Sequence, residues 1–591
     1  MVHNIIKNIY FTINSFLIIF LFITISPTNG KPCKAINLTS SSDFKYNLQK
    51  VIQTGNITWY FDSAYPVGTF ANGDYWVRGP ITIDSITPRF DGHSNGFEIN
   101  PIVEGDQGFQ DDCAGGNFDP NLDPNVPLYA DPSNGILSIV KSIPTGDDRP
   151  CIKFAAVLSV VKTIPPNNGN NVFRPPYVGT KKPYYLVDSI KSYLLPKYKT
   201  VSNVPSYDSL ANKFKHLRID HKTKMTGDCL RPSMAMSNYQ PDNVPGQNDA
   251  VLSFMMDKPL EEKMPALINF LQFGIDKIYT VLLGQTWPVG AGHQPGHRLP
   301  LAFTAVMLGI DTMKQILSDA TWFHGSIYFY TGRNGVVLWG DESTEWSYWN
   351  YIMREEGSRT YRDPYQYIDG GKLTDGSYQF ITSQSHKGEI LAVQLMPILK
   401  EYWNVKEFNI VEKYVDRWVL HGVWSMPDPY APFDNDTNNY GKTFGPDLAN
   451  NGKVIQGNGR FPEIHGERRD GGSRRSAFVD TLWKTYRATA PSAKNLPPFA
   501  VVTKPLDGNT INSIYTIHVT AFSIHDIKSI VFAVNDTSKG AFVRVNDNST
   551  DYVYSLETRN YPNGQYKFTA IAEDTLGNYT TSPCVNIKII N

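Results

Sequence analysis

Gly284-Gln285-Thr286-Trp287-Pro288-Val289-Gly290-Ala291-Gly292-His293-Gln294-Pro295-Gly296-His297-Arg298-Leu299-Pro300 is the stretch on which the reading of this chain turns. It lies between two long apolar patterns of helical period. Glu261 to Leu283 carries Met264, Leu267, Ile268, Leu271, Ile275, Ile278 and Leu282. Leu299 to Leu317 carries Phe303, Val306, Met307, Ile310, Met313 and Ile316. Apolar residues recurring every three or four positions make one face of a helix, and a short loop between two such helices implies an antiparallel hairpin. A Gly/Pro loop also lets backbone and polar side chains approach a ligand closely. This one sets the imidazoles of His293 and His297 beside the guanidinium of Arg298, groups that move protons and hold carboxylates. A well-fastened helix–helix connection is the plain alternative, because Gly and Pro punctuate every loop.

Outward from this hairpin the helical character continues. Gly388 to Tyr402, Phe408 to His421 and Ser476 to Arg487 repeat the pattern, so residues 205–496 read as a helical domain. The insert from about 322 to 382 is aromatic and polar, a place for a cleft to form. Residues 31–204 read as β-rich. Ile57-Thr58-Trp59-Tyr60-Phe61, Tyr75-Trp76-Val77, Ile81-Thr82-Ile83, Gly135 to Lys141 and Phe154 to Val161 are β-branched or aromatic runs parted by Gly, Asn, Asp and Pro. Pro497-Pro498 marks a linker. Beyond it, seven runs (Phe499–Thr503, Ile514–Ala521, Ile527–Val534, Phe542–Val545, Tyr552–Leu556, Gln565–Glu573 and Val585–Ile590) follow at roughly ten-residue spacing, the mark of an immunoglobulin-like sandwich over 497–591. The chain is therefore multidomain, as its 591 residues demand.

With 41% hydrophobic and 19% charged residues the composition is that of a globular protein. A formal net charge of −1 gives no basic field for nucleic acid. Thirty-three Tyr and 11 Trp suit stacking on sugar rings as well as ordinary cores. Residues 1–30 read as a secretory signal peptide: Lys7, an apolar run from Phe16 to Ile25, Pro27 and Asn29, then Thr28 and Gly30 at the −3 and −1 positions of a cut before Lys31. An uncleaved anchor is the alternative, although the mostly apolar run of about 17 residues is short of the ~20 that span a bilayer. Cleavage makes the chain extracellular, or a resident of the endolysosomal lumen, with no membrane attachment. Six N-x-S/T sequons, at Asn37, Asn56, Asn435, Asn535, Asn548 and Asn578, are then glycosylation candidates. Of Cys33, Cys113, Cys151, Cys229 and Cys584, an oxidising compartment favours one or two bridges, Cys113 with Cys151 being the preferred pair.

No zinc, P-loop or G-x-S-x-G signature occurs, and Pro295 argues against a helical His293/His297 metal pair. Neither metal nor cofactor is expected. Asp111, Asp112, Asp119 and Asp123 are acidic enough for Ca²⁺ but lack an EF-hand spacing. Further motifs follow the hairpin: Trp339 to Trp349, Arg359-Thr360-Tyr361-Arg362-Asp363, Ser383-Gln384-Ser385-His386-Lys387-Gly388, Tyr414-Val415-Asp416-Arg417-Trp418 and Arg460 to Gly466. The set resembles the helical-toroid domains of secreted polysaccharide lyases, the alginate- and glucuronan-lyase-like group. Gly292, His293, Gly296, His297 and Pro300 fit that group's glycine–histidine loop, Tyr361-Arg362 its tyrosine–arginine pair, and Tyr414 to Trp418 its helix end. The match covers about residues 260 to 490. The C-terminal stretch resembles the immunoglobulin-like modules of secreted carbohydrate-active and adhesive proteins, through Lys504 to Gly508, Ile530 to Asn535 and Asn563 to Asp574.

The resemblance implies an α/α toroid-like central domain and an acidic polysaccharide substrate cleaved by β-elimination. That reaction needs a group to offset the C5 carboxylate, a base for the C5 proton and an acid for the departing O4. The expected catalytic set is His293 as base or carboxylate neutraliser, Tyr361 as acid and Arg362 or Arg298 as the clamp. His297, His386, Trp346, Tyr348 and Glu345 are the expected substrate-binding residues. An inverting glycoside hydrolase, using Asp341, Glu342 or Glu345 with Asp369, is the enzymatic rival. A non-catalytic glycan-binding or matrix protein is the other.

Overall fold

A computed structural model describes residues 47–103, 105–109, 118–221, 230–287, 292–331, 337–339, 382–421, 446–447, 453–454, 474–491, 493–494, 497–505, 508–523, 525–546 and 551–591. The β-rich part comes first. Strands β1 (Leu48–Thr54), β2 (Ile57–Thr69), β3 (Tyr75–Arg78), β4 (Ile81–Thr87), β5 (Phe97–Ile99), β6 (Leu128–Ala130), β7 (Leu137–Pro144) and β8 (Ile152–Val161) form one sheet in the order β5-β7-β8-β3-β2-β4-β6, with β1 on β2. β3 runs parallel to β8, and the other pairings are antiparallel.

β8 is buried at every position but Lys153, which shows that both its faces are covered. Phe154, Ala156, Leu158 and Val160 join Trp59, Ile83 and Ile139 in one core. Ile152, Ala155 and Val157 join the helices in another. The sheet and the helical body therefore share a continuous core. A buried ion pair reinforces the junction: the Arg174 guanidinium lies 2.6 Å from Asp74 of the sheet region and 2.5 Å from Asp276 of a helix.

Among the described residues the helices are α1 (Tyr207–Lys213), α2 (Gln240–Phe254), α3 (Leu260–Leu282), α4 (Arg298–Leu308), α5 (Thr312–Asp319), α6 (His324–Ile327), α7 (His386–Leu395), α8 (Val405–His421) and α9 (Ala477–Tyr486). α3, α8 and α9 match the expected helices within a few residues. The helix expected over Leu299–Leu317 is two, because Gly309 adopts a left-handed backbone (φ 70°) and ends α4. The helix expected over Gly388–Tyr402 also splits: α7 stops at Leu395, and a 3₁₀ turn over Pro397–Tyr402 follows, since proline breaks the α-helical ladder. Short strand pairs β9 (Phe329–Thr331) with β10 (Val337–Trp339) and β11 (Pro446–Asp447) with β12 (Lys453–Val454) accompany them. Among the described residues no helix is long and apolar enough to cross a membrane.

The C-terminal part is a two-sheet sandwich. One sheet is β13 (Phe499–Lys504), β15 (Ile514–Phe522), β19 (Asp551–Glu557) and β18 (Val543–Arg544); the other is β14 (Thr510–Ile511), β22 (Val585–Ile589), β20 (Gly564–Asp574), β16 (Ile527–Val534) and β17 (Thr537–Ala541), with β21 (Tyr579–Thr581) on β20. Alternation drives it. In β22, Val585, Ile587 and Ile589 point inward to Ile517, Phe532 and Phe568, while Asn586 and Lys588 are exposed. All seven expected runs are strands; β14, β17 and β21 are additions.

Cys151 is disulfide-bonded and Cys584 is free. The remaining cysteines, and so the partner of Cys151, lie outside the described residues. The glycosylation candidates differ in setting. Asn56 is exposed at the β1–β2 turn. Asn535 is exposed, with its side-chain oxygen accepting from the Lys567 amide at 2.8 Å. Asn578 donates its amide nitrogen to the Lys494 carbonyl and to Asp574 at 3.1 and 3.0 Å. Asn37, Asn435 and Asn548 lie outside the described residues.

Candidate functional site

The α3–α4 loop is held from below by a chain of buried charges. Asp220 accepts from Arg231 at 2.8 Å and from the Lys277 ammonium at 2.6 Å. That ammonium also reaches His297 Nδ1 at 2.6 Å. Burial, with the neighbouring Lys277 cation, holds His297 well below its ordinary pKa, so the ring is neutral. Its Nδ1 therefore accepts from Lys277, and its Nε2–H donates to the His293 carbonyl at 2.9 Å. The ring also stacks on Trp287, with centroids 3.9 Å apart and an interplanar angle of 9°. His297, expected to touch substrate, has no exposed surface. It fixes the backbone of His293 instead.

His293 itself is half-buried, between the buried Gly292 and Gln294. Arg149, an exposed residue just before β8, brings a guanidinium nitrogen to 3.4 Å from His293 Nε2. Tyr239, at the start of α2, presents its ring edge-on to the imidazole at 5.9 Å. Gly292 makes the approach possible, because a Cβ there would sit 2.5 Å from the Tyr239 hydroxyl. A histidine, an arginine and a tyrosine thus converge at the loop. Arg149 and Tyr239 were not among the expected residues. One arrives from the β-rich part, 144 positions away, and no local pattern announces either of them.

Arg298 is turned inward. Its Nη2 lies 2.6 Å from Glu407, its Nη1 donates to the Leu317 carbonyl, and its guanidinium covers Phe323 at 4.0 Å. This occupies the fork that a carboxylate clamp would need and ties α4 to α8. His386 opens α7. Its Nδ1 is 2.7 Å from Glu389, and its Nε2 is 2.9 Å from His324 Nδ1. Tyr361, Arg362, Trp346, Tyr348 and Glu345 lie outside the described residues, as do Asp341, Glu342 and Asp369. Asp111 and Asp112 do too. Asp119 accepts from the Asn121 amide at 2.9 Å and Asp123 from the Phe97 amide at 2.8 Å.

Residues 498–570 match the family model described as a bacterial Ig domain, so the C-terminal module is a bacterial Ig-like domain. No curated protein matches the chain. Among solved structures, fibronectin(III)-like modules of Clostridium thermocellum CbhA align at 22% identity, over 16% of this chain and 47% of that one, with a TM-score of 0.14. An endo-beta-1,4-mannanase from Thermotoga petrophila aligns at 14% identity, over 23% of this chain and 30% of that one, with a TM-score of 0.15. This chain thus spans about half the length of the first and less of the second.

Proposed function

We propose that this chain is a secreted, N-glycosylated polysaccharide-degrading enzyme that cleaves a uronic-acid-containing glycan by β-elimination, with an α/α toroid-like helical domain as its catalytic body. One observation carries the reading: His293, Arg149 and Tyr239 meet at a loop whose backbone is braced from below. The Arg149 guanidinium offsets the C5 carboxylate and makes the C5 proton acidic. His293 takes that proton, and its electron pair becomes the C4–C5 double bond. The C4–O4 bond breaks with its pair on oxygen, and Tyr239 supplies the proton that O4 needs to leave. The two ends of the reaction thus fall to separate groups, which suits a concerted transfer at one loop.

The test is incubation with a panel of uronate polymers and neutral glycans. Growth of the ultraviolet absorbance of an unsaturated uronate supports elimination. New reducing ends on neutral glycans, with no such absorbance, would transfer the protein to the hydrolases.

A further inference from the structure

Arg149 reaches His293 from the loop between the end of β7 at Pro144 and the start of β8 at Ile152. Gly146, Asp147, Asp148 and Arg149 are exposed, so burial contributes little to their placement. Ties across the loop set it instead. On one limb Cys151 is disulfide-bonded and has no exposed surface, which anchors the chain two residues after Arg149. On the other limb Thr145 grips that anchor. Its amide donates to the Cys151 carbonyl at 2.7 Å. Its hydroxyl donates to the Pro150 carbonyl at 2.6 Å, in preference to the Asp147 carbonyl at 3.2 Å. The same oxygen accepts from the Asp147 amide at 3.0 Å. Between them Gly146 takes a φ of 90°, which lets the chain turn back tightly.

The hydroxyl is needed for its chemistry and not for its volume. Valine keeps the shape of threonine but can neither donate to Pro150 nor accept from Asp147. Asp147 is exposed and Pro150 half-buried, so water takes up the bonds that such a change frees, and the fold survives. What the change releases is the backbone between Thr145 and Pro150, which carries Arg149. The Arg149–His293 contact, at 3.4 Å, is long for a hydrogen bond and has little slack to lose.

We propose that Thr145 is a positioning residue of the candidate site: its hydroxyl fixes the backbone from which Arg149 meets His293. Its effect on rate rests on the β-elimination reading; its effect on the Arg149–His293 contact does not. The test compares full-length Thr145→Val, Thr145→Ser, Arg149→Met and the double variant Thr145→Val/Arg149→Met. NMR of isotope-labelled histidine reads the contact without substrate, the His293 imidazole signal being assigned by its loss in His293→Ala. That signal should move in Thr145→Val in the direction in which Arg149→Met moves it, and keep its wild-type position in Thr145→Ser. On a uronate polymer kcat/KM should fall about fivefold in Thr145→Val and return in Thr145→Ser. Adding Thr145→Val to Arg149→Met should cost nothing more. A folded Thr145→Val protein with the wild-type His293 signal, or a rate loss that persists undiminished in the Arg149→Met background, overturns the proposal. A wild type that forms no unsaturated product overturns the elimination reading alone, and the NMR comparison still decides the role of Thr145. Thr145→Ala takes the place of Thr145→Val should the latter not fold, judged by circular dichroism.

Discussion

Acidification tests how the core beneath the site is built, and His221 is its cleanest probe. The ring is 1% exposed and lies between Phe109 and Tyr177, and the Tyr177 hydroxyl hydrogen-bonds its Nδ1 at 2.8 Å. Burial lowers its pKa to about 4 from an ordinary 6.5, against a smaller opposing pull from Asp220. The folded state thus takes up this proton later than the unfolded chain as pH falls. The stability linked to His221 is fully present above pH 6.5 and is lost progressively down to pH 4. The gap corresponds to about 3 kcal/mol, most of it lost by pH 4.5. Other groups pull the opposite way: burial pushes the carboxyls of Glu98 and Asp123 up to about 7, so their protonation favours the fold in acid. The useful quantity is therefore the difference between wild type and His221→Gln, in which those groups cancel. All 11 Trp lie before residue 497, so tryptophan fluorescence during urea unfolding reports the sheet-and-helix body and not the Ig-like module. Between pH 7.5 and 4.5 the wild type should lose about 2–3 kcal/mol relative to the variant. A difference that stays constant within about 0.5 kcal/mol refutes the buried neutral histidine.

Other substitutions probe the site and its supports. Gly292→Ala places a methyl against the Tyr239 hydroxyl and must displace the ring. Its kcat/KM on a uronate polymer should fall about tenfold or more, with the fluorescence-detected midpoint nearly unchanged. Glu407→Gln leaves the buried Arg298 guanidinium without its carboxylate, and urea unfolding should show a loss of about 3–5 kcal/mol. Glycopeptide mass spectrometry of secreted protein should find Asn56 occupied and Asn578 largely bare, because a glycan on Asn578 competes with its two donated hydrogen bonds.

The legible parts of this molecule are those where one local period governs. α3 was readable because its apolar residues recur at helical spacing, and the strands of the Ig-like module because theirs alternate. α2 was not: it carries Pro241 and Pro245, and it buries Asn243, Gln247 and Asn248 along with Val244, Val251 and Phe254, which blurs the apolar stripe. The loop around His293 stood out through its glycines and imidazoles, but the roles of its neighbours did not. His297 and Arg298 look as available in the sequence as His293 does. Only packing shows that Lys277 and Trp287 claim one and Glu407 the other. Arg149, Tyr239 and the His324–His386 contact are products of chain folding over long separations, beyond any window of neighbouring residues.

The most direct test of the β-elimination claim is the rate of unsaturated-product formation by wild type, His293→Ala and Arg149→Met on the same uronate polymer. The account predicts measurable absorbance growth for wild type. It predicts a drop of about 10²–10⁴-fold on loss of the base His293 and a comparable loss without the Arg149 cation, in variants that keep the wild-type unfolding midpoint. Folded wild-type protein that produces no absorbance on any uronate polymer, or a His293→Ala variant that keeps the wild-type rate, contradicts it.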